Sequence, residues 1–230
     1  MPGSEGWVER HRYLESVARF EAGIDEILSG LSWAAPAIPA WDAYADDLDA
    51  GVPVLASTSV TVDLKPLEAL TATLIGASPG HTRHLGWRTA ARYLAPVVRS
   101  FEAWRGDDER WLRPYCPLCG SPPAMAQLVG NDPGRRRFLC CGRCGSRWRF
   151  RRTECPFCEH DAHELATLKV EGENGLRIDR CEACRAYIKT YDGEGEERLL
   201  LADWSSLHLD VIALDRGWVR AAASLYEIPA

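Results

Sequence analysis

Eight of the nine cysteines in this 230-residue chain fall into four Cys-x-x-Cys pairs between residues 116 and 184. Matching cysteines of the two halves are 39 or 40 residues apart, and Cys-Pro-Leu-Cys-Gly at 116–120 is echoed by Cys-Pro-Phe-Cys-Glu at 155–159. This spacing indicates an internal duplication of a four-thiolate metal site. The pairs are Cys116/Cys119, Cys141/Cys144, Cys155/Cys158 and Cys181/Cys184.

A Cys-x-x-Cys turn brings two thiolates to one ion, and two such knuckles complete a tetrahedron. An interleaved pairing of the knuckles is possible, but the duplication favours two self-contained sites. The first would use Cys116, Cys119, Cys141 and Cys144, and the second Cys155, Cys158, Cys181 and Cys184. Thiolate tetrahedra accept zinc or iron, and ligand type does not choose between the two metals. Because four protein ligands leave no position open for substrate, we predict structural sites and no enzymatic activity.

Three further residues near the pairs are candidate ligands. Cys140 competes with Cys141, but only Cys141 has Cys-x-x-Cys spacing to Cys144, so we interpret Cys140 as a strand residue. His160 and His163 could replace a thiolate of the second site. With four cysteines already available to that site, we expect neither histidine to bind the metal.

The segments between the knuckles predict two small ribbons. Met125–Leu128 and Arg137–Leu139 flank a Gly-Asn-Asp-Pro-Gly turn, and Leu165–Val170 and Leu176–Asp179 flank a second polar turn. Cores this small need a bound ion for stability, so the metal is expected to be part of the fold.

Residues outside the ribbons predict helices. Apolar spacing indicates helices over 8–31, 41–50, 63–75 and 82–105, with an extended linker at 52–62. Near the C-terminus, Ser205 or Ser206 can cap a helix whose apolar face is Leu207, Val211 and Leu214. His208 and Asp210 on that helix could contact a partner, although packing against the second ribbon is the favoured interpretation.

The predicted fold class is α+β. An N-terminal α-helical domain (1–112) precedes two tandem zinc-ribbon four-cysteine modules (113–153 and 154–230), the second ending in the C-terminal helix; the family resemblance given below implies that both modules are rubredoxin-like.

Charge and hydropathy restrict the function further. The net charge of −6 argues against a general nucleic-acid binder, whose surface is usually basic. Arginines at 135–152 interleave with Trp148 and Phe150, which fits nucleic-acid binding, a half-buried strand or a face for an acidic protein.

No run approaches the roughly 18 apolar residues of a membrane span, and the polar N-terminus predicts no secretory signal. Reduced cysteines and a cytoplasmic location are therefore expected.

Longer motifs resemble one family, the formate dehydrogenase accessory proteins (FdhE-like). The similar segments are Cys116–Pro123, Phe138–Trp148, Cys155–Cys158, Cys181–Lys189, and the tail at Asp203–Asp210 with Gly217–Arg220. The resemblance covers roughly residues 113–220 and is loose over the helical half.

The resemblance implies a cytoplasmic assembly factor that binds the catalytic subunit of a respiratory formate dehydrogenase and supports its maturation. It also implies iron in two rubredoxin-like sites whose ligands are the eight paired cysteines, without Cys140. Two other functions remain open from the residues, namely a rubredoxin-like one-electron carrier and a nucleic-acid-binding zinc ribbon. A homo-oligomer is compatible with the sequence.

Overall fold

The computed structural model describes residues 12, 14–30, 36–57, 79–106, 110–131, 133–173, 175–192, 203 and 206–222. The helices in this part of the chain are α1 (Leu14–Gly30), α2 (Ala45–Asp49), α3 (Val54–Ser57), α4 (Pro79–Arg105) and α5 (Leu207–Asp215), with 3₁₀ turns at Trp41–Tyr44 and Ala162–Glu164. The strands are β1 (Pro123–Val129), β2 (Arg136–Cys141), β3 (Arg147–Phe150), β4 (Leu165–Leu168), β5 (Leu176–Cys181), β6 (Ala186–Asp192) and β7 (Val219–Arg220). None of the described helices is both long and apolar enough to cross a membrane.

The strands form one mixed sheet in the order β3-β2-β1-β6-β5-β4, and β7 also pairs with β6. Strands β1–β3 and β4–β6 are each antiparallel ribbons, as the duplication predicts. The first strand of the first ribbon, β1, pairs in parallel with the last strand of the second, β6. The two ribbons are therefore joined head to tail, a junction that the sequence analysis did not predict.

Strand β1 is central, and apolar cores cover both of its faces. Because successive side chains point to opposite faces of a strand, Met125 and Ala126 belong to different cores. Ala126 packs in a cluster with Phe101 of α4 and Trp148 of β3. Met125 packs in the second cluster, together with Leu209 of α5. The sheet is thus a middle layer that separates two cores.

The first core joins the helices to the first ribbon. Trp148 and Phe101 are fully buried there, and burial of each such side chain contributes roughly 1.5–3 kcal/mol. The indole of Trp148 donates to the Arg113 carbonyl at 2.9 Å, so its polar edge is also satisfied. This core extends across residue 112, and the predicted domain division at that point stays a prediction.

Helix α4 covers the outer edge of the sheet at β3. The Arg147 amide donates to Glu102 Oε1 at 3.0 Å, and Arg105 Nη2 donates to the Arg147 carbonyl at 2.7 Å. Side chains of α4 therefore take the hydrogen bonds that a further strand would make with this residue. Covered edges of this kind discourage pairing with another chain.

The predicted extended linker is wrong at Val54–Ser57, which is helix α3. The amides of Val54 and Leu55 donate to the carbonyls of Pro117 and Leu118, at 3.0 and 2.7 Å. The first amides of a helix lack partners within it. Since the first knuckle supplies those partners, a helical turn forms inside the segment that was predicted to be extended. The helix predicted at 63–75 lies outside the described residues.

Helix α5 forms where predicted, but the predicted apolar face is wrong. Val211 and Leu214 are 55% and 40% exposed, whereas the buried residues are Leu209, Asp210 and Ala213. The helix is rotated because the Asp210 carboxylate binds buried side chains of β6. The Ser206 hydroxyl donates to the Asp203 carbonyl at 3.1 Å and does not cap the helix.

Candidate metal centres

The eight paired cysteines gather into two groups. In each group all four sulfur atoms lie within 4.8 Å of one another. The first knuckle meets the second, and the third meets the fourth, so the grouping is sequential and not interleaved. The members are Cys116, Cys119, Cys141 and Cys144 in site one, and Cys155, Cys158, Cys181 and Cys184 in site two.

The sulfur–sulfur distances fit a tetrahedral ion. In site one the Cys116–Cys144 and Cys119–Cys141 distances are 3.6 and 3.4 Å. In site two the corresponding distances, Cys155–Cys184 and Cys158–Cys181, are 3.7 and 3.6 Å. An ion with Zn–S bonds of about 2.3 Å requires tetrahedron edges of about 3.8 Å. A disulfide requires about 2.05 Å, so the geometry favours metal ligation over oxidation.

Local backbone structure makes each knuckle. In the first, the Gly120 amide donates to the Cys116 carbonyl, and the Cys116 amide donates to the Ser121 carbonyl, both at 2.9 Å. The residue after the second cysteine has a left-handed backbone in all four knuckles. Glycine adopts this conformation readily, but two knuckles use other residues. The φ angles are 72° at Gly120, 79° at Gly145, 58° at Glu159 and 63° at Arg185.

Backbone amides also point at the sulfurs. The amides of Arg143 and Cys144 lie 3.4 and 3.5 Å from Cys141 Sγ, and the Phe157 amide lies 3.4 Å from Cys155 Sγ. Amide donors stabilise a sulfur that carries negative charge, which favours the thiolate form that a metal requires.

The crowded sulfurs cannot share several negative charges without a cation. Burial holds the pKa of Cys116 well above its usual value, whereas hydrogen bonding from Cys116 holds the pKa of Cys119 well below it. Cys144, in contrast to Cys119, has its pKa raised by hydrogen bonding with Cys116. Without a metal, Cys116 and Cys144 therefore keep their protons and Cys119 loses its proton. A divalent ion would allow all four to ionise together, so the donor set fits a bound metal.

The other candidate ligands lie outside both groups. Cys140 is a β2 residue that is 6% exposed and packs in the second core, and burial raises its pKa to about 11. His160 is exposed, and its Nδ1 lies 3.4 Å from the Cys158 carbonyl. His163 is exposed on the 3₁₀ turn before β4.

Three arginines near the second knuckle are buried or make contacts within the molecule. Arg135 pairs with Asp192, and Arg137 is buried. The Arg147 guanidinium lies 5.3 Å from the Phe138 ring centroid. Burial alternates along β3, with Trp148 and Phe150 inside, which agrees with a half-buried strand. Arg136, Arg143, Arg151 and Arg152 of the same stretch are exposed.

One buried charged cluster escaped the sequence analysis. Lys189 on β6 lies 2.6 Å from both Asp203 Oδ1 and Asp210 Oδ2, and Arg220 lies 2.6 Å from Asp203 Oδ1. A lysine inside the apolar strand Ala186–Asp192 was the available signal, because a buried lysine requires an acidic partner. The cluster fixes the C-terminal segment to the second ribbon.

Comparisons with known proteins agree with this architecture. Residues 115–152 match the family model described as FdhE, central domain. An FdhE homologue from Aquifex aeolicus is 29% identical over 133 residues, which are 56% of this chain and 47% of the relative. One from Pseudomonas aeruginosa is 33% identical over 127 residues, which are 51% of this chain and 40% of the relative. The matched segments thus span less than half of these relatives.

The crystal structure of the FdhE protein from Pseudomonas aeruginosa shares the fold. It superposes with a TM-score of 0.62 at 21% sequence identity, covering 96% of this chain and 92% of that chain. The resemblance found in the longer motifs is confirmed by the family model and by the relatives. Residues 115–152 thus match the FdhE central domain, and the chain shares the fold of an FdhE protein.

Proposed function

We propose that this chain is a cytoplasmic accessory protein of formate dehydrogenase that binds the catalytic subunit and supports its maturation. The main support is that both four-cysteine sites lie on a fold shared with an FdhE protein. The first site also lies within the segment that matches the FdhE central domain. The proposal assigns the chain a binding function and no catalytic one.

The eight grouped cysteines would hold two tetrahedral ions, iron or zinc, as part of the scaffold. Four protein ligands close each site, so the bound ion supplies a cross-link between two knuckles and offers no position to substrate. In site one the cross-link joins the β1 entry to the β2–β3 turn, and site two does the same in the second ribbon. Both ribbons would then present fixed surfaces to a client.

The experiment is capture of the catalytic subunit from anaerobically grown cells that express this chain. We expect metal-loaded protein to recover the subunit, and to restore formate oxidation in a strain that lacks its own accessory protein. A Cys155→Ser/Cys158→Ser variant should lose both effects, whereas Cys140→Ser, which changes a cysteine outside either site, should retain them. Absence of capture and of restored activity with fully metal-loaded wild type would contradict the proposal.

One observation favours a second candidate, a rubredoxin-like one-electron carrier. Amide donors lie near sulfurs of both sites, and Cys158 and Cys184 are only half-buried. Hydrogen bonds to thiolates and solvent access are features that tune iron–sulfur potentials. This function requires iron with visible absorbance that bleaches reversibly on reduction. Anaerobically purified protein that is colourless and contains only zinc would exclude it.

A further inference from the structure

A cavity of about 460 Å³ lies over the sheet, beneath the segment that joins the two ribbons. Its lining reaches from β2 across β1 and β6 to β4, so residues of both ribbons contribute. Apolar side chains such as Leu128 and Ile188 line one part, and Arg137, Arg152 and Arg177 line another. The volume lies within the roughly 300–1,000 Å³ that is usual for small-molecule sites.

Arg137 is the unusual member of this lining. It is 4% exposed, and its Nη1 donates to the Glu154 carbonyl at 3.1 Å. Its Nε is buried and has no hydrogen-bond partner among the described residues. A buried charged donor without a partner is unfavourable, so an anionic occupant of the cavity that pairs with the Arg137 guanidinium would be favoured.

The carboxylate in the cavity wall is already engaged. Asp179 Oδ1 lies 2.9 Å from Arg177 Nε and accepts from Thr167 at 2.8 Å, and Asp179 Oδ2 accepts from Thr190 at 2.7 Å. Arg177 and Asp179 thus form one ion pair, and the Asp179 carboxylate also attracts the Arg137 guanidinium. Arg137 and Arg152 add two further positive charges to the lining.

We propose that this cavity binds a carboxylate group carried on an apolar stem. Arg137 lines the cavity, and its guanidinium, held at Nη1 by the Glu154 carbonyl, pairs with the negative charge of the carboxylate. Arg152 supports the negative charge, and Leu128 and Ile188 contact the stem. The inference is independent of the proposed function, because it concerns this chain and a simple acid.

A competing account is that Arg137 offsets the thiolate charge of site two, whose Cys155 and Cys181 also line the cavity. The two accounts predict different losses. If Arg137 serves the thiolates, its removal should lower the metal content of site two. If it serves a ligand, removal should weaken carboxylate binding and leave both metal ions in place.

The test is calorimetric titration of the full metal-loaded chain with benzoate, and with benzamide as the uncharged match. We expect benzoate to bind and benzamide not to bind. Arg137→Gln should weaken benzoate binding by roughly ten- to a hundredfold with unchanged metal content. Arg152→Gln, at an exposed position, should weaken it less and supplies a second test if Arg137→Gln does not fold. Arg136→Gln, on the neighbouring residue outside the cavity lining, should have no effect.

A peptide ending in a free C-terminal carboxylate, compared with its amidated form, distinguishes the source of the ligand. Carboxylate-dependent binding at least tenfold tighter than that of benzoate would assign the site to a partner's chain end, and equal affinity would assign it to a small acid. Equal binding of benzoate and benzamide, absence of benzoate binding, or an Arg137→Gln variant with unchanged benzoate affinity would overturn the proposal.

Discussion

The ammonium nitrogen of Lys189 lies 2.6 Å from Asp210 Oδ2, and neither side chain is more than 1% exposed. The cluster balances two cations, Lys189 and Arg220, against two carboxylates, Asp203 and Asp210. The Tyr187 hydroxyl also donates to Asp210 Oδ1 at 2.8 Å. Because these residues come from β6, from α5 with its preceding residues, and from β7, the cluster holds the C-terminal segment against the second ribbon.

Removing the charge of Lys189 should destabilise the protein strongly. Lys189→Met leaves two buried carboxylates with one cation, and breaking a buried ion pair in this way costs about 3–5 kcal/mol. The measurement is urea unfolding of metal-loaded protein. Lys169→Met, the same change at an exposed residue, is the matched control and should alter stability by less than about 0.5 kcal/mol. A loss below about 1 kcal/mol for Lys189→Met would contradict the assigned role.

The same cluster predicts a pH dependence above pH 10. Burial, and then the neighbouring Asp210 carboxylate, raise the pKa of Tyr187 above its ordinary value of 10.0. The unfolded chain therefore releases this proton first, and stability falls as pH rises above about 10, by at most about 1.4 kcal/mol per pH unit. Tyr187→Phe lacks this ionisation, so its unfolding free energy should fall less steeply between pH 10 and 11. Parallel curves for the two proteins would contradict the prediction.

Substitution of two adjacent cysteines, Cys140 and Cys141, should affect metal content differently. Cys141 is a member of site one, whereas Cys140 packs in the second core. Cys140→Ala should keep two ions per chain, and Cys141→Ala should lose the ion of site one. Metal analysis of anaerobically purified variants measures this difference. Retention of two ions by Cys141→Ala would show that Cys140 can replace its neighbour.

The residue that follows each knuckle has a left-handed backbone, and two of these residues, Glu159 and Gly145, allow a matched pair of substitutions. Glu159 has a φ of 58°, where a side chain costs about 1–2 kcal/mol and glycine does not. After the entropic penalty of glycine, Glu159→Gly should stabilise metal-loaded protein by about 0.5–1 kcal/mol. At Gly145, with a φ of 79°, an added Cβ meets no atom within 4 Å. Gly145→Ala should therefore lose about 1 kcal/mol through backbone strain alone. Thermal unfolding of both variants should give shifts of opposite sign.

The grouping of cysteines could be predicted because Cys-x-x-Cys spacing and duplication are local properties of the sequence. The strands between the knuckles were found for the same reason, as was the alternation of burial along β3. These features depend on residues a few positions apart, where turn chemistry and side-chain alternation act directly.

The features that sequence analysis missed depend on distant residues. Helix α3 forms because carbonyls at Pro117 and Leu118 accept its first hydrogen bonds, more than 60 residues away. The orientation of α5 follows from Asp210 binding Lys189, so that Asp210 is buried while the more apolar Val211 and Leu214 are exposed. In both cases a tertiary polar contact outweighs local apolar patterning. The parallel junction of β1 with β6 likewise has no local signature.

Because the two ribbons are joined head to tail, a further ribbon could add to the sheet at its β3 edge in the same way. A repeat generated by translation does not close on itself. Strand β4 of one molecule could therefore pair with β3 of another, in the same way as β6 pairs with β1. Glu102 and Arg105 occupy the backbone groups of Arg147 that such a neighbour would bind. Helix α4 thus occupies the position at Arg147 where the next ribbon of such a repeat would add to the sheet.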